Sequence, residues 1–239
     1  MEDNRKNLIK LGLYFGALVV LIIVLKLSGG SVNTNVNNSD MNTPKEETIL
    51  STIEKINSKY YKSKVYITLD DDAQTIEYEK KDNILVGNKK YHQESINFIE
   101  YNDNYYTYNE DRISRLYDFS YFDYDKTFID LNNFKSLIKL DSVNKEYSLN
   151  DNKVLELTFD IRDVLKLYNN INNTNYITLD KQEINLKIYS KNNKIEYMLL
   201  ELTELYNFIN NSKFEEVNYK LTFEETKKED TSWLIERLN

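Results

Sequence analysis

Few residues in this 239-residue chain are placed to act as acids, bases, nucleophiles or metal ligands. The single His, His92, lies in the charged run Lys89-Lys90-Tyr91-His92-Gln93-Glu94. A His-dependent triad needs an orienting carboxylate and a nucleophile, and a multi-His metal site needs a second imidazole. His92 alone supplies neither and reads as an exposed turn or strand residue. Asp70-Asp71-Asp72 offers carboxylates, but an EF-hand loop needs alternating oxygen ligands, a central Gly and a closing Glu. The triplet lacks the Gly and the alternation and reads as a solvated turn. Ser136-Leu137-Ile138-Lys139 and Ser142-Val143-Asn144-Lys145 match Ser-x-x-Lys without the Ser-Asp-Asn and Lys-Thr-Gly elements that complete a penicillin-recognising site. With no Cys there is no catalytic thiol, thiolate metal site, disulfide framework or lipidated Cys. No phosphate-cradling or dinucleotide-binding Gly motif is present. No catalytic residue, metal or cofactor is therefore expected.

Binding chemistry is better represented. From Tyr101 to Phe128 the sequence reads YNDNYYTYNEDRISRLYDFSYFDYDKTF, aromatics interleaved with Asp and Asn. Tyr combines a large contact area with a polar tip, which suits a binding surface. Tyr117, Phe119, Tyr121, Phe122 and Tyr124 are the candidate mouth of a ligand site. The competing reading is that alternate aromatics fill the concave side of a sheet while their polar neighbours face water.

Those residues need elements to hold them. Leu11–Leu25, LGLYFGALVVLIIVL, is an uncharged run, and Leu8–Leu27 extends it to about 30 Å as a helix, a bilayer core's thickness. Arg5, Lys6 and Lys10 precede its centre and Lys26 follows, so the positive-inside rule puts residues 1–7 in the cytoplasm and the rest outside. Residues 8–27 are expected to be a single-pass signal-anchor; a signal peptide cleaved near Ser28-Gly29-Gly30-Ser31 is the rival, and would leave a secreted domain. Gly30 stands where a lipobox would place its Cys. Gly12 and Gly16 form a small-xxx-small pair suited to weak helix dimerisation. Residues 28–43 are polar and aperiodic, a flexible linker.

Residues 44–239 are expected to be one extracytoplasmic α+β domain. Thr43, Pro44 and Glu46 make a helix start, and Ile49, Ile53, Ile56 and Tyr60 extend one apolar face to about Tyr60. Period-two runs then predict strands near Val65–Leu69, Ile76–Tyr78, Ile84–Val86, Ser95–Tyr101 and Tyr105–Asn109. Asp130–Leu140 and the segment after Asp160 read as helices. Val154–Phe159, Tyr176–Leu179, Ile184–Tyr189, Lys194–Leu202 and Glu215–Glu225 read as strands, and Trp233–Leu238 as an amphipathic tail. Tyr-Ile-Thr-Leu-Asp occurs at Tyr66–Asp70 and again at Tyr176–Asp180, either a trace of a duplicated helix-plus-meander unit or a coincidence. Asn, Lys, Ile and Tyr, all with AT-rich codons, dominate the composition. The sequons Asn37-Asn38-Ser39, Asn172-Asn173-Thr174 and Asn210-Asn211-Ser212 read as chance in so Asn-rich a chain.

The order of capped helix, long meander, helix and second meander resembles the LolA-like family of envelope proteins, which includes lipoprotein carriers and related lipid-binding lipoproteins. Two stretches carry the resemblance. One is the strand–turn–strand around Ile96–Tyr108, SINFIEYNDNYYTY; the other is Glu183–Glu225, where EINLKIYSKNNKIEYMLLELTEL leads through a break into KFEEVNYKLTFEE. The resemblance implies a curved antiparallel β half-barrel closed over by helices. It brings no site residue with it, because no signature residue carries it.

The chain has net charge −8. No basic stripe is present, which argues against nucleic acid. The partners expected are the membrane, through the N-terminal helix, and a lipid, another amphipathic ligand or an envelope protein. The expected function is a non-enzymatic, membrane-tethered binding module. The alternatives are an interaction or sensor domain with a filled core and, further off, an enzyme.

Overall fold

The computed structural model describes residues 44–102, 104–109, 112–116, 125–192, 194–228 and 230–238. Among them no helix is long and apolar enough to cross a membrane. The expected span 8–27 with Gly12 and Gly16, the linker 28–43 and the Thr43 cap lie outside the described residues.

The first helix, α1, covers Pro44–Lys55, and the first meander comes next as β1 (Tyr60–Leu69), β2 (Asp72–Lys81), β3 (Ile84–Tyr91), β4 (Glu94–Tyr101), β5 (Asn104–Asn109) and β6 (Arg112–Leu116). Helix α2 (Leu131–Leu137) leads to β7 (Val143–Leu149) and β8 (Asn152–Asp160). Then come α3 (Ile161–Asn172), β9 (Glu183–Lys191), β10 (Lys194–Glu201), α4 (Thr203–Asn210), β11 (Val217–Glu225) and α5 (Ser232–Leu238). The strands form one antiparallel sheet in the order β6-β5-β4-β3-β2-β1-β11-β10-β9-β8-β7. The two meanders meet where β1 pairs with β11, and among the described residues the sheet does not close: β6 and β7 are its edges. This is the α+β half-barrel expected from the sequence.

The tight hairpins are turned by short polar residues. Asp70, Asp82, His92, Asn102, Asn150, Asp151 and Asn192 all have positive φ between 47° and 66°. Hairpin loops whose twist matches that of the flanking strands need this conformation, and Asn and Asp tolerate it better than other side chains with a Cβ. The Asn and Asp content therefore has a structural role. Asp70 does more: its Oδ1 accepts from the backbone N–H of Glu215 and Glu216, tying the β1–β2 turn to the start of β11. His92 lies exposed in the β3–β4 turn, its Nε2 3.6 Å from Asp72 Oδ1.

Four helices cover one face of the sheet, here the inner face. Ile53 of α1, Leu131, Phe134 and Leu137 of α2, Ile161, Val164, Leu165 and Tyr168 of α3, and Leu205 and Tyr206 of α4 pack in one core with the inward residues of the strands. On the outer face α5 covers a smaller cluster, with Leu234 against Ile84 and Ile99.

Several elements differ from expectation. Helix α1 ends at Lys55, not Tyr60: Ile56 closes a turn onto Ile53, Asn57 Oδ1 accepts from the Lys59 N–H, and Tyr60 already pairs with Lys81 in the sheet. Helix α2 is shorter than Asp130–Leu140, although Asp130 does cap it, accepting from the N–H groups of Asn132 and Asn133. Strands β6 and β7 and helix α4 have no counterpart among the expected elements. Tyr176–Leu179 is not a strand. It pairs with no other described segment, and Ile177 and Leu179 are 73% and 90% exposed.

Helices α3 and α4 end in the same way. Tyr168-Asn169-Asn170-Ile171-Asn172-Asn173-Thr174-Asn175-Tyr176 and Tyr206-Asn207-Phe208-Ile209-Asn210-Asn211-Ser212-Lys213-Phe214 share the pattern Tyr-Asn-x-Ile-Asn-Asn-hydroxyl-x-aromatic. Asn173 and Asn211 take the left-handed conformation that stops each helix. Asn169 Oδ1 accepts from Tyr176 N and Thr174 Oγ1 while its Nδ2 donates to Tyr176 O. Asn207 does the same with Phe214 N, Ser212 Oγ and Phe214 O. Each Asn thus clasps the chain leaving its helix. The second and third sequons are parts of these clasps: Asn172 Nδ2 donates to Tyr168 O and Asn210 Nδ2 to Tyr206 O.

Candidate functional site

The inner face of the sheet is filled differently in its two halves. Register sets its rows. In the half built from β1 and β8–β11, Ile67 lies opposite Tyr219, Tyr219 opposite Leu200, Leu200 opposite Leu186, and Leu186 opposite Leu157. All five are buried beneath the helices. In the half built from β2–β6, Ile76 lies opposite Lys89, Lys89 opposite Ile96, Tyr78 opposite Gly87, Gly87 opposite Phe98, and Phe98 opposite Thr107. Here Leu85, Ile96, Tyr105, Thr107 and Leu116 stay partly exposed.

A strap separates the two halves. Residues 125–131 are bolted across the inner face by tyrosine hydroxyls. The Asp125 N–H donates to Tyr206 Oη (3.0 Å), Tyr206 Oη lies 3.0 Å from Tyr219 Oη, and Tyr219 Oη donates back to Asp125 O (3.3 Å). Donor counting gives this ring one direction: Tyr219 spends its proton on Asp125 O, so Tyr206 donates to Tyr219. Tyr78 Oη donates to Ile129 O, and the Leu131 N–H donates to Tyr61 Oη at 3.3 Å. Lys126 Nζ donates to Glu100 Oε2 (3.0 Å) and Tyr105 Oη (2.7 Å) and sits 4.0 Å from the Tyr105 ring centre. Burial of the phenols raises the pKa of Tyr61, Tyr78, Tyr168 and Tyr219 above the ordinary value, because phenolate is poorly solvated there.

Gly87 serves the packing of the open half. A Cβ there would come within 2.7 Å of Phe98 Cζ and of the Glu77 carbonyl, so Gly lets the Phe98 ring lie flat on β3. Beside it the face turns polar: Gln74 and Lys89 are each only 6% exposed.

Of the candidate mouth residues, Tyr117, Phe119, Tyr121, Phe122 and Tyr124 lie outside the described residues. The aromatics before them divide between the faces. Tyr101, Tyr106 and Tyr108 pack on the outer face with Ile113 and α5, and Tyr105 points inward to Lys126. The expectation that alternate aromatics fill the concave side is thus corrected for these residues. Strand alternation puts the two faces at adjacent positions, and Tyr105-Tyr106 serves both. Sequence reading missed Gln74 and Lys89, whose signal was a polar residue at an inward position: Gln74 shares the period of Ile76 and Tyr78, and Lys89 that of Leu85 and Gly87.

A second hollow, a cleft of about 530 Å³ between α3 and residues 175–178, is lined by Arg162, Asp163, Leu165, Lys166, Asn169 and Tyr176. Three of its polar side chains are already engaged: Arg162 with Asp160, Lys166 with Asp163, and Asn169 in its clasp. The Arg162 guanidinium holds the Asp160 carboxyl well below the usual carboxylate range.

No family model and no curated protein matches the sequence. Among solved structures the chain is similar to LprF from Mycobacterium bovis, at TM-score 0.45 and 11% identity over 80% of this chain and 99% of that one. It is also similar to the lipoprotein LppX from Mycobacterium tuberculosis, at TM-score 0.40 and 11% identity over 75% and 91%. A LolA superfamily protein from Nitrosomonas europaea is similar at TM-score 0.28 and 9% identity over 79% and 95%.

Among the described residues no group of three or more His, Cys, Asp or Glu is placed to hold a metal ion. The inner face offers apolar area, a few tyrosine hydroxyls and buried polar side chains, among them Ser63, Gln74, Lys89 and Ser190. That chemistry fits holding an amphiphile.

Proposed function

We propose that this chain is a non-enzymatic binding module, anchored in a membrane by residues 8–27 with its domain outside the cytoplasm, that takes the apolar part of a lipid or other amphipathic ligand. The acyl portion lies on the inner face of β3–β6. The observation that carries this reading is the uneven filling of that face. Helices and strap bury the inward residues of β1 and β8–β11, whereas Leu85, Ile96, Tyr105 and Leu116 remain partly exposed beside buried Phe98. Apolar side chains left facing inward on a sheet are what an apolar ligand covers.

Native mass spectrometry of the purified full chain tests it. A lipid-mass adduct is expected on the wild type and is expected to be lost in Ile96→Asp and Leu116→Asp. An adduct that survives both substitutions belongs to the apolar N-terminal run, and that result overturns the reading. A second reading, an interaction module without a pocket, is favoured by the filled half and by the two sheet edges, β6 and β7. It predicts a bare polypeptide mass and a protein partner that protects those edge strands from hydrogen exchange.

A further inference from the structure

Strand β7 is an edge that its own side chains leave open. It pairs with β8 from Val143 opposite Thr158 to Leu149 opposite Asn152, with no bulge in the register. Among the described residues no strand lies on its other side. Sheet edges are commonly guarded by shortness, a bulge, a Pro or a covering element. β7 is seven residues long and has no Pro, and six of the seven are exposed. Its outer-face residues are Val143, Lys145, Tyr147 and Leu149, in the row of Val154 and Tyr189; Asn144, Glu146 and Ser148 point to the inner side. Val143 and Leu149, at the two ends, are 72% and 46% exposed. Between them Lys145 Nζ sits 5.3 Å from the Tyr147 ring centre. An apolar pair and a cation–aromatic pair are thus arranged symmetrically about Glu146.

We propose that β7 pairs antiparallel with β7 of a second copy of this chain, about a two-fold axis at Glu146, so that two sheets run into one. The strand's own residues select this occupant. A two-fold contact sets residue i against j and j against i, and directly opposite residues share a face of the sheet. With Lys145 on the axis, like charges meet on the outer face and Leu149 falls beyond the partner strand. With Tyr147 on the axis, Val143 falls beyond it. With Glu146 on the axis all seven residues pair. Val143 meets Leu149 of the second copy, Lys145 meets Tyr147 and Asn144 meets Ser148, each twice. The exposed apolar ends are then covered, each Lys gains a second ring, and the edge backbone groups find partners. The one unfavourable contact is Glu146 against its copy, on the inner side where water reaches both. One strand pair is a small interface, so the dimer is weak. It needs no ligand and stands apart from the lipid-binding reading.

The chain has no Cys, so a single introduced Cys reports its own neighbour. Full-chain variants in detergent micelles are oxidised at matched concentration, and disulfide dimers are read on non-reducing gels. Glu146→Cys lies on the axis, within disulfide reach of its copy, and is expected to cross-link about fivefold more than Asn144→Cys or Ser148→Cys. Those two positions share its face and exposure, but each lies about 14 Å from its own copy. Mixed together, Asn144→Cys and Ser148→Cys are expected to cross-link to each other. Adding Val143→Lys, at an exposed position that the fold tolerates, should bring Glu146→Cys down to the level of Asn144→Cys. Equal cross-linking at all positions, or a maximum at Tyr147→Cys, overturns the proposed pairing. Sedimentation equilibrium checks it without Cys. Glu146→Gln removes the like-charge contact and is expected to dimerise about two- to fivefold more tightly than the wild type, and Val143→Lys less tightly. A chain that stays monomeric as wild type and as Glu146→Gln overturns the proposal. So does a dimer indifferent to both substitutions, which belongs to the apolar N-terminal run.

Discussion

Tyr66–Asp70 and Tyr176–Asp180 are the same five residues, Tyr-Ile-Thr-Leu-Asp, in two opposite environments. The first ends β1, paired on one side with β2 and on the other with β11. Ile67 is fully buried, and Asp70 receives two backbone N–H groups from the start of β11. The second copy leaves the α3 clasp and runs to β9 with no described strand on either side, and its Ile and Leu face solvent. Intrinsic strand preference is identical in the two copies. What differs is whether neighbouring strands are present to satisfy the backbone and cover the side chains.

The largest expected effect breaks the two copies apart. Ile67→Ala should cost about 2–5 kcal/mol of unfolding free energy, because it empties a packed site between β2 and β11. Ile177→Ala should change stability by no more than about 0.5 kcal/mol. Urea titrations of the two variants measure both. Comparable losses would mean that residues 176–180 are covered in solution.

The tyrosine strap comes next. Tyr78→Phe leaves the Ile129 carbonyl without its donor, and Tyr219→Phe opens the ring through Asp125 and Tyr206. Each is expected to cost about 1–3 kcal/mol. Tyr66, 43% exposed on the outer face, provides the contrast, and Tyr66→Phe should be near neutral. The strap also predicts an alkaline limit. The folded-state pKa of Tyr61, Tyr78 and Tyr219 is raised by burial, so their contribution is complete below the unfolded value of about 10. It falls as pH rises beyond that value, because the unfolded chain then releases protons that the folded chain retains. Phenolate absorbance and far-ultraviolet circular dichroism should therefore change together. A phenolate signal from all tyrosines before any loss of structure would show that the strap is open.

Period-two alternation made β1–β5 and β8–β11 legible, because one face of each strand is buried and the other wet. It failed at β7, whose residues are nearly all exposed as an edge strand, and at Tyr176–Leu179, where the alternation is present without partners. The helix starts at Asp130 and Asp160 were readable from their capping side chains. Helix α4 was hidden because Leu202, at its N-cap, makes no side-chain cap hydrogen bond. The clasps were visible as a nine-residue repeat, but the Asn-rich background masked it. The open inner face was legible only as far as the resemblance reached. Gln74 and Lys89 look like ordinary surface residues until the register of β2 and β3 turns them inward.

The two clasps extend the comparison at smaller scale. Asn207→Ala removes two accepted bonds and one donated bond where the chain enters β11 at once. Asn169→Ala removes the matching set where the chain enters the exposed segment. The first should cost about 1–2 kcal/mol and the second less, because water can replace lost bonds more readily beside an exposed segment. Hydrogen exchange at Phe214 and Tyr176 reads the two clasps individually, and faster exchange at each is expected only in its own variant. Equal destabilisation would mean that residues 176–182 are held as firmly as β11.

The smallest effect separates backbone shape from side-chain bonding within a clasp. Asn173 and Asn211 stop their helices in the left-handed conformation, with φ of 54° and 49°. Gly reaches that region without a Cβ penalty but adds freedom to the unfolded chain, so Asn173→Gly and Asn211→Gly should fall within about 0.5 kcal/mol of the wild type. Thermal melts of the pair set the scale for the neighbouring Asn169 and Asn207 variants. If the Gly variants lose as much as the Ala variants, the clasp depends on the Asn173 and Asn211 side chains as well. If they are neutral, the hydrogen bonds of Asn169 and Asn207 hold it, and the left-handed residues serve only to turn the chain toward them.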